Sequence, residues 1–92
     1  MIYADNAATT KLCERAFDAM KQYLLEQYGN VSQPYSFSKA AKKALQSARE
    51  TIANCIGASP DEIYFTSGGT ESDNWAIKSV LFANKEKNEV IA

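Results

Sequence analysis

A glycine pair limits what this chain can fold into more than any other feature. Gly68-Gly69 stands between a β-branched and aromatic run, Ile63-Tyr64-Phe65-Thr66, and a stretch of helical periodicity that starts near Thr70. The four-residue run reads as a buried strand. Trp75, Ala76, Ile77, Val80 and Leu81 give the following stretch one apolar face, so a helix is expected from about Thr70 to Ala83. Two glycines at the junction let the backbone bend sharply and let a ligand approach with no Cβ in the way. The first N–H groups of a helix have no partner inside it and carry the positive end of its dipole, so a phosphate fits there. Thr70 and Ser72 can add hydroxyl donors, while Glu71 suits a phosphate poorly and its side chain is expected to point elsewhere. The pattern is not the phosphate loop that ends in Gly-Lys-Ser/Thr, because no lysine follows the glycines. Nor is it the dinucleotide turn, whose third glycine is missing. On pattern alone two readings stand: an anion-binding turn, or a tight strand-to-helix turn that binds nothing.

Upstream, Ile2-Tyr3 favours a short strand, and Asp5 to Thr10 is rich in turn and cap residues. Thr10 is the expected cap of a first helix over about Lys11 to Gln27, with Glu14 in its first turn. Its stripe is Leu12, Ala16, Met20, Tyr23 and Leu24, widened by Phe17 and Cys13. Gly29-Asn30 is expected to end it in the left-handed conformation. After a polar loop around Pro34, Ser36 or Ser38 can cap a second helix, about Phe37 to Ile56. Its expected stripe is Phe37, Ala41, Ala44, Leu45, Ala48, Ile52, Cys55 and Ile56; Lys39, Lys42, Lys43 and Arg49 read as part of a solvated face. Gly57 is the expected C-cap, and Ser59-Pro60-Asp61-Glu62 signals one short helical turn. Glu89-Val90-Ile91-Ala92 begins another strand-like run. Strand, helix and strand make the unit of a parallel sheet, yet two short strands are not stable alone. The pattern therefore reads as part of a longer protein.

Composition removes several classes of function. With 10 basic and 11 acidic residues the net charge is −1, which gives no electrostatic footprint for nucleic acid or an anionic membrane. No apolar run approaches the roughly 20 residues that span a bilayer. Histidine is absent, so these 92 residues hold neither a Ser-His-Asp triad nor a His-ligated metal site. Cys13 and Cys55 are too few for a disulfide framework and read as buried thiols of a cytoplasmic protein.

Three motifs carry a resemblance. They are Tyr3-Ala4-Asp5-Asn6-Ala7-Ala8-Thr9-Thr10, then Tyr28-Gly29-Asn30 with Ser32 and Ser36-Phe37, and the run from Ile63 to Lys78. In order and spacing they resemble the opening of the cysteine desulfurases, pyridoxal phosphate (PLP) enzymes of the class V aminotransferase group. The resemblance spans the whole chain but only the first part of a family member. Val31 stands where the family usually has proline, Tyr35 where many members have histidine, and Ser79 where glycine is common. Selenocysteine lyases and other class V enzymes share parts of the pattern.

The resemblance implies an α/β fold, the N-terminal part of a PLP-dependent transferase of the aspartate aminotransferase type, with three helices and two or three short strands here. Residues 1–10 would be a strand and loop, 11–56 two helices, and 57–92 the start of the large PLP-binding domain. It implies a homodimer that takes sulfur from L-cysteine, leaving L-alanine and an enzyme persulfide, and passes the sulfur to an acceptor protein for iron–sulfur cluster assembly or tRNA thiolation. Gly69 and Thr70 match the residues that hold the PLP phosphate; Asn6, Ala7 and Ala8 match a loop near the active-site entrance. The cofactor-bonding lysine, ring-stacking histidine, ring-nitrogen aspartate and persulfide cysteine are expected downstream of Ala92. Neither Cys13 nor Cys55, and none of the eight lysines, matches those positions. No catalytic and no metal-ligating residue is assigned here, and the 92-residue chain is expected to be inactive alone. The alternative reading is a small non-catalytic module that binds an anion through the turn or associates with itself.

Overall fold

The computed structural model describes residues 1–86, 89 and 91. Three helices follow one another: α1 (Glu14–Leu25), α2 (Lys39–Ile56) and α3 (Gly69–Ala83). Single 3-10 turns at Ser36–Ser38 and Pro60–Glu62 precede and follow α2.

No strand occurs among the described residues, which corrects the expectation of two or three. Among the described residues, 2–3 and 63–66 form no backbone ladder with another segment; Ile63 is extended at φ −96° and ψ 124°. A strand exists by hydrogen bonding to a neighbour, and no described segment lies alongside to supply one. Of the 63–66 run only Ile63 is buried, while Tyr64 and Phe65 are exposed. Of the third expected run, 89–92, Val90 and Ala92 lie outside the described residues, and Glu89 and Ile91 are in no strand.

Several local expectations change in physical detail. Cys13, not Thr10, is the N-cap of α1, and no side chain caps it. The helix stops at Leu25, with Glu26 at its C-cap. Neither Gly29 nor Asn30 has positive φ. Gly29 answers a different need: a Cβ there would lie 2.9 Å from the Phe37 carbonyl oxygen and 2.9 Å from Ser38 Cα. The loop thus packs backbone to backbone on the start of α2, where Ser38 is buried. Tyr28 and Phe37 meet edge to face beside it, centroids 5.1 Å apart. Gly57 does close α2 as expected, at φ 70° and ψ 30°, its N–H donating to the Ala53 carbonyl.

Packing centres on α2. Ala53 is fully buried and Ile63 nearly so. Ala41, Ala44 and Leu45 of the expected stripe are half-buried, but the inward line then runs through half-buried Arg49 to Ala53, and Ile52, Cys55 and Ile56 of that stripe stay exposed. The small Ala53 side chain suits close approach of the Pro60–Glu62 turn, which packs on α2. That turn is held as its sequence predicts: the Ser59 N–H donates to Glu62 Oε2 at 2.7 Å. The apolar stripe of α1 has no such cover. Leu12, Phe17, Met20 and Leu24 are all exposed, and α1 buries no residue. Cys13 and Cys55 are free and exposed, not buried, because the helix faces that carry them lie bare.

Candidate functional site

The 63–66 segment leads from α2 to the N-terminus of α3. Arg49 fastens its near end. The guanidinium donates to the Ile63 carbonyl and lies 5.1 Å from the Phe65 ring centroid. Arg49 therefore does not belong to a solvated face, and its place four residues from both Leu45 and Ala53 is the sequence signal for that. Tyr64 reaches the other way and meets Trp75 of α3 edge to face, centroids 5.3 Å apart. The segment is thus anchored to both helices by side chains.

At the far end the chain turns through Ser67-Gly68 into α3. Gly68 is the N-cap and has no side chain to occupy the helix's first donors. Gly69 and Thr70, the expected phosphate holders, are the first two residues of α3. Their N–H groups and that of Glu71 have no acceptor among the described residues. A Cβ built on Gly68 or Gly69 meets no heavy atom within 4 Å. Neither glycine is in the left-handed region either, so nothing in the described chain demands them, and the space they leave is open to a ligand.

Glu71 is turned back as expected. Its carboxylate accepts from the Ser67 N–H at 2.9 Å and from the Ser67 hydroxyl. The hydroxyl and then the N–H hold its pKa below the ordinary carboxylate value, against a smaller opposing effect of burial. Its charge is spent on Ser67 instead of on the free donors at Gly69 and Thr70.

Ser72 departs from its expected role as an anion donor. Its hydroxyl lies 2.6 Å from Thr66 Oγ1, and both hydroxyls reach the Gly68 carbonyl at 3.1 Å. The Ser72 N–H donates to the same carbonyl, also at 3.1 Å. Thr66 was not singled out from sequence. The available signal was a hydroxyl residue two positions before Gly68 matched by one four positions after it.

The Asn6-Ala7-Ala8 loop is a separate exposed turn, closed by the Ala8 N–H donating to the Asp5 carbonyl at 3.1 Å. Among the described residues no hydrogen bond joins it to the 67–70 turn. No group of three or more potential metal ligands occurs among the described residues.

The start of α3 is thus a glycine-opened helix N-terminus with a hydroxyl at its second residue, and comparison with known proteins settles the family. The chain belongs to the class V aminotransferases: the Aminotransferase class-V family profile matches residues 2–92. Among its relatives, a protein named Cysteine desulfurase IscS from Methanosarcina thermophila is 49% identical over 90 residues, covering 98% of this chain and 22% of the relative. One of the same name from Dictyoglomus turgidum is 50% identical over 90 residues, covering 98% and 23%. A solved structure titled NifS-like protein superimposes with a TM-score of 0.84 at 36% identity, over 92% of this chain and 23% of that one. The chain thus spans under a quarter of the length of these relatives. No described helix is long and apolar enough to cross a membrane.

Proposed function

We propose that this chain is the N-terminal portion of a cytoplasmic, PLP-dependent cysteine desulfurase, and that its own contribution to the site is the phosphate anchor. The protein would take sulfur from L-cysteine, releasing L-alanine, and pass it from an enzyme persulfide to an acceptor protein, working as a homodimer. The observation that carries this reading is the donor set at the start of α3. Among the described residues the N–H groups of Gly69 and Thr70 have no acceptor, a Cβ on Gly68 or Gly69 would meet nothing within 4 Å, and the Glu71 carboxylate is tied to Ser67. That set fits a phosphate dianion, and relatives near 50% identical over 98% of the chain are named cysteine desulfurases. Two free cysteines support a reducing compartment.

In this reading Gly69 and Thr70 hold the PLP phosphate through backbone N–H groups and the Thr70 hydroxyl. Residues 57–92 begin the large PLP-binding domain, with 11–56 as two helices leading into it and 1–10 placing the Asn6–Ala8 loop near the entrance. When bound, PLP supplies the electron sink for the reaction. The residues of this chain orient it through its phosphate and keep Glu71 off it.

The test is an assay of the full-length protein that carries this sequence, given PLP, L-cysteine and a thiol reductant. Sulfide and L-alanine in equal amounts are expected. Protein that retains PLP yet forms no alanine from L-cysteine would overturn the assignment.

A further inference from the structure

The Thr66–Ser72 pair lies beside the phosphate anchor but cannot be part of it, because both hydroxyls face the Gly68 carbonyl. Each hydroxyl carries one proton. One proton lies in the 2.6 Å contact between the two oxygens, so the other is left for the Gly68 carbonyl at 3.1 Å from either. The pair can exchange these roles without losing a bond. Thr66 and Ser72 are both half-buried, unlike the exposed Ser67, Gly68, Gly69 and Thr70 around them.

The consequence follows from peptide geometry. The Gly68 carbonyl and the Gly69 N–H belong to one planar trans unit and point in opposite directions. Fixing the carbonyl toward the two hydroxyls and the Ser72 N–H aims the Gly69 N–H away from them, toward the open space beside the glycines. Without the hydroxyls only the Ser72 N–H holds that carbonyl, and the Gly-Gly junction leaves the plane more freedom to rotate.

We propose that Thr66 and Ser72 are positioning residues for the cofactor phosphate: a redundant two-hydroxyl clasp that locks the Gly68–Gly69 peptide with its N–H aimed at the anion. This rests on the phosphate-anchor reading above. Redundancy gives it a signature, since either hydroxyl alone still reaches the carbonyl.

The experiment compares the affinities of the full-length protein for PLP and for pyridoxal, which lacks the phosphate, by absorbance titration. Thr66→Val or Ser72→Ala alone should lower PLP affinity less than about threefold. The double variant should lower it about tenfold, near the upper range of one hydrogen bond, with pyridoxal affinity unchanged. Thr66→Ser in the Ser72→Ala background restores a hydroxyl and should stay within about threefold of the native protein. A double variant that keeps the native PLP-to-pyridoxal ratio would overturn the clasp, as would loss of pyridoxal binding in step with PLP. A native protein that binds PLP and pyridoxal equally would instead overturn the phosphate anchor itself.

Discussion

Glu71 shows how one side chain can order the turn without occupying it. Its pKa is lowered by the Ser67 donors, so the folded state binds its proton more weakly than the unfolded chain does. The stabilising effect of this contact is therefore full above the ordinary carboxylate range and is lost as pH falls through the lowered folded value. The Ser67 amide should be protected from hydrogen exchange at neutral pH and lose protection in acid. Glu71→Ala should abolish that protection at neutral pH; an unchanged exchange rate would show that the bond does not order the turn. Arg49 makes the complementary link, from α2 to Ile63 and Phe65. Replacing it with methionine keeps the stem but removes a charge-assisted hydrogen bond and a ring contact, and should cost the full-length protein about 2 kcal/mol in urea unfolding. Gly29→Ala should also destabilise, by about 1–3 kcal/mol, since its Cβ would press on backbone atoms 2.9 Å away.

The elements that were legible in the sequence are those whose causes are local. Helix α3 lies close to its expected span because a glycine turn and an apolar period fix it. The end of α2 follows from Gly57, whose φ of 70° only glycine adopts freely. Gly57→Ala should lower stability by about 1 kcal/mol, measurable as a shift in the urea midpoint at unchanged slope. The one-turn helix at 60–62 follows from Ser59, Pro60 and Glu62 acting within four residues. What was not legible depends on groups distant in sequence. The 63–66 run has the composition of a strand but, among the described residues, no neighbour to pair with. Gly29 looked like a helix stop because its actual reason, the approach of Ser38, lies across a loop. Of the candidate site, the glycine-opened helix start and the turned-back Glu71 are readable from the turn itself, while the role proposed for Gly69 and Thr70 comes from the resemblance. The Thr66–Ser72 clasp was not, because hydroxyl residues beside glycine are common in turns that hold nothing.

The described molecule is an arrangement of helices with almost no interior. Its radius of gyration is 17.5 Å, against about 12 Å for a compact chain of this length. Its accessible surface is 8347 Å², about 3,000 Å² more than a folded monomer of its mass exposes. A standard protein interface covers only about 800 Å² of each partner, so a single docking event would leave most of the excess bare. The excess supports further protein closing over α1, α3 and the 63–66 run, consistent with a chain that spans under a quarter of its relatives. Alone, the chain should be expanded or self-associated in solution. Small-angle scattering with a mass measurement checks this, and a monomer near 12 Å would contradict it. On the proposed reading, these 92 residues hold the phosphate anchor of a PLP enzyme but not its catalytic groups. The most direct test is to incubate the purified 10.1 kDa chain with PLP and L-cysteine and to measure sulfide. Sulfide should stay at the level formed by PLP alone; catalytic turnover by a chain of confirmed mass would overturn the proposed division between anchor and catalytic groups.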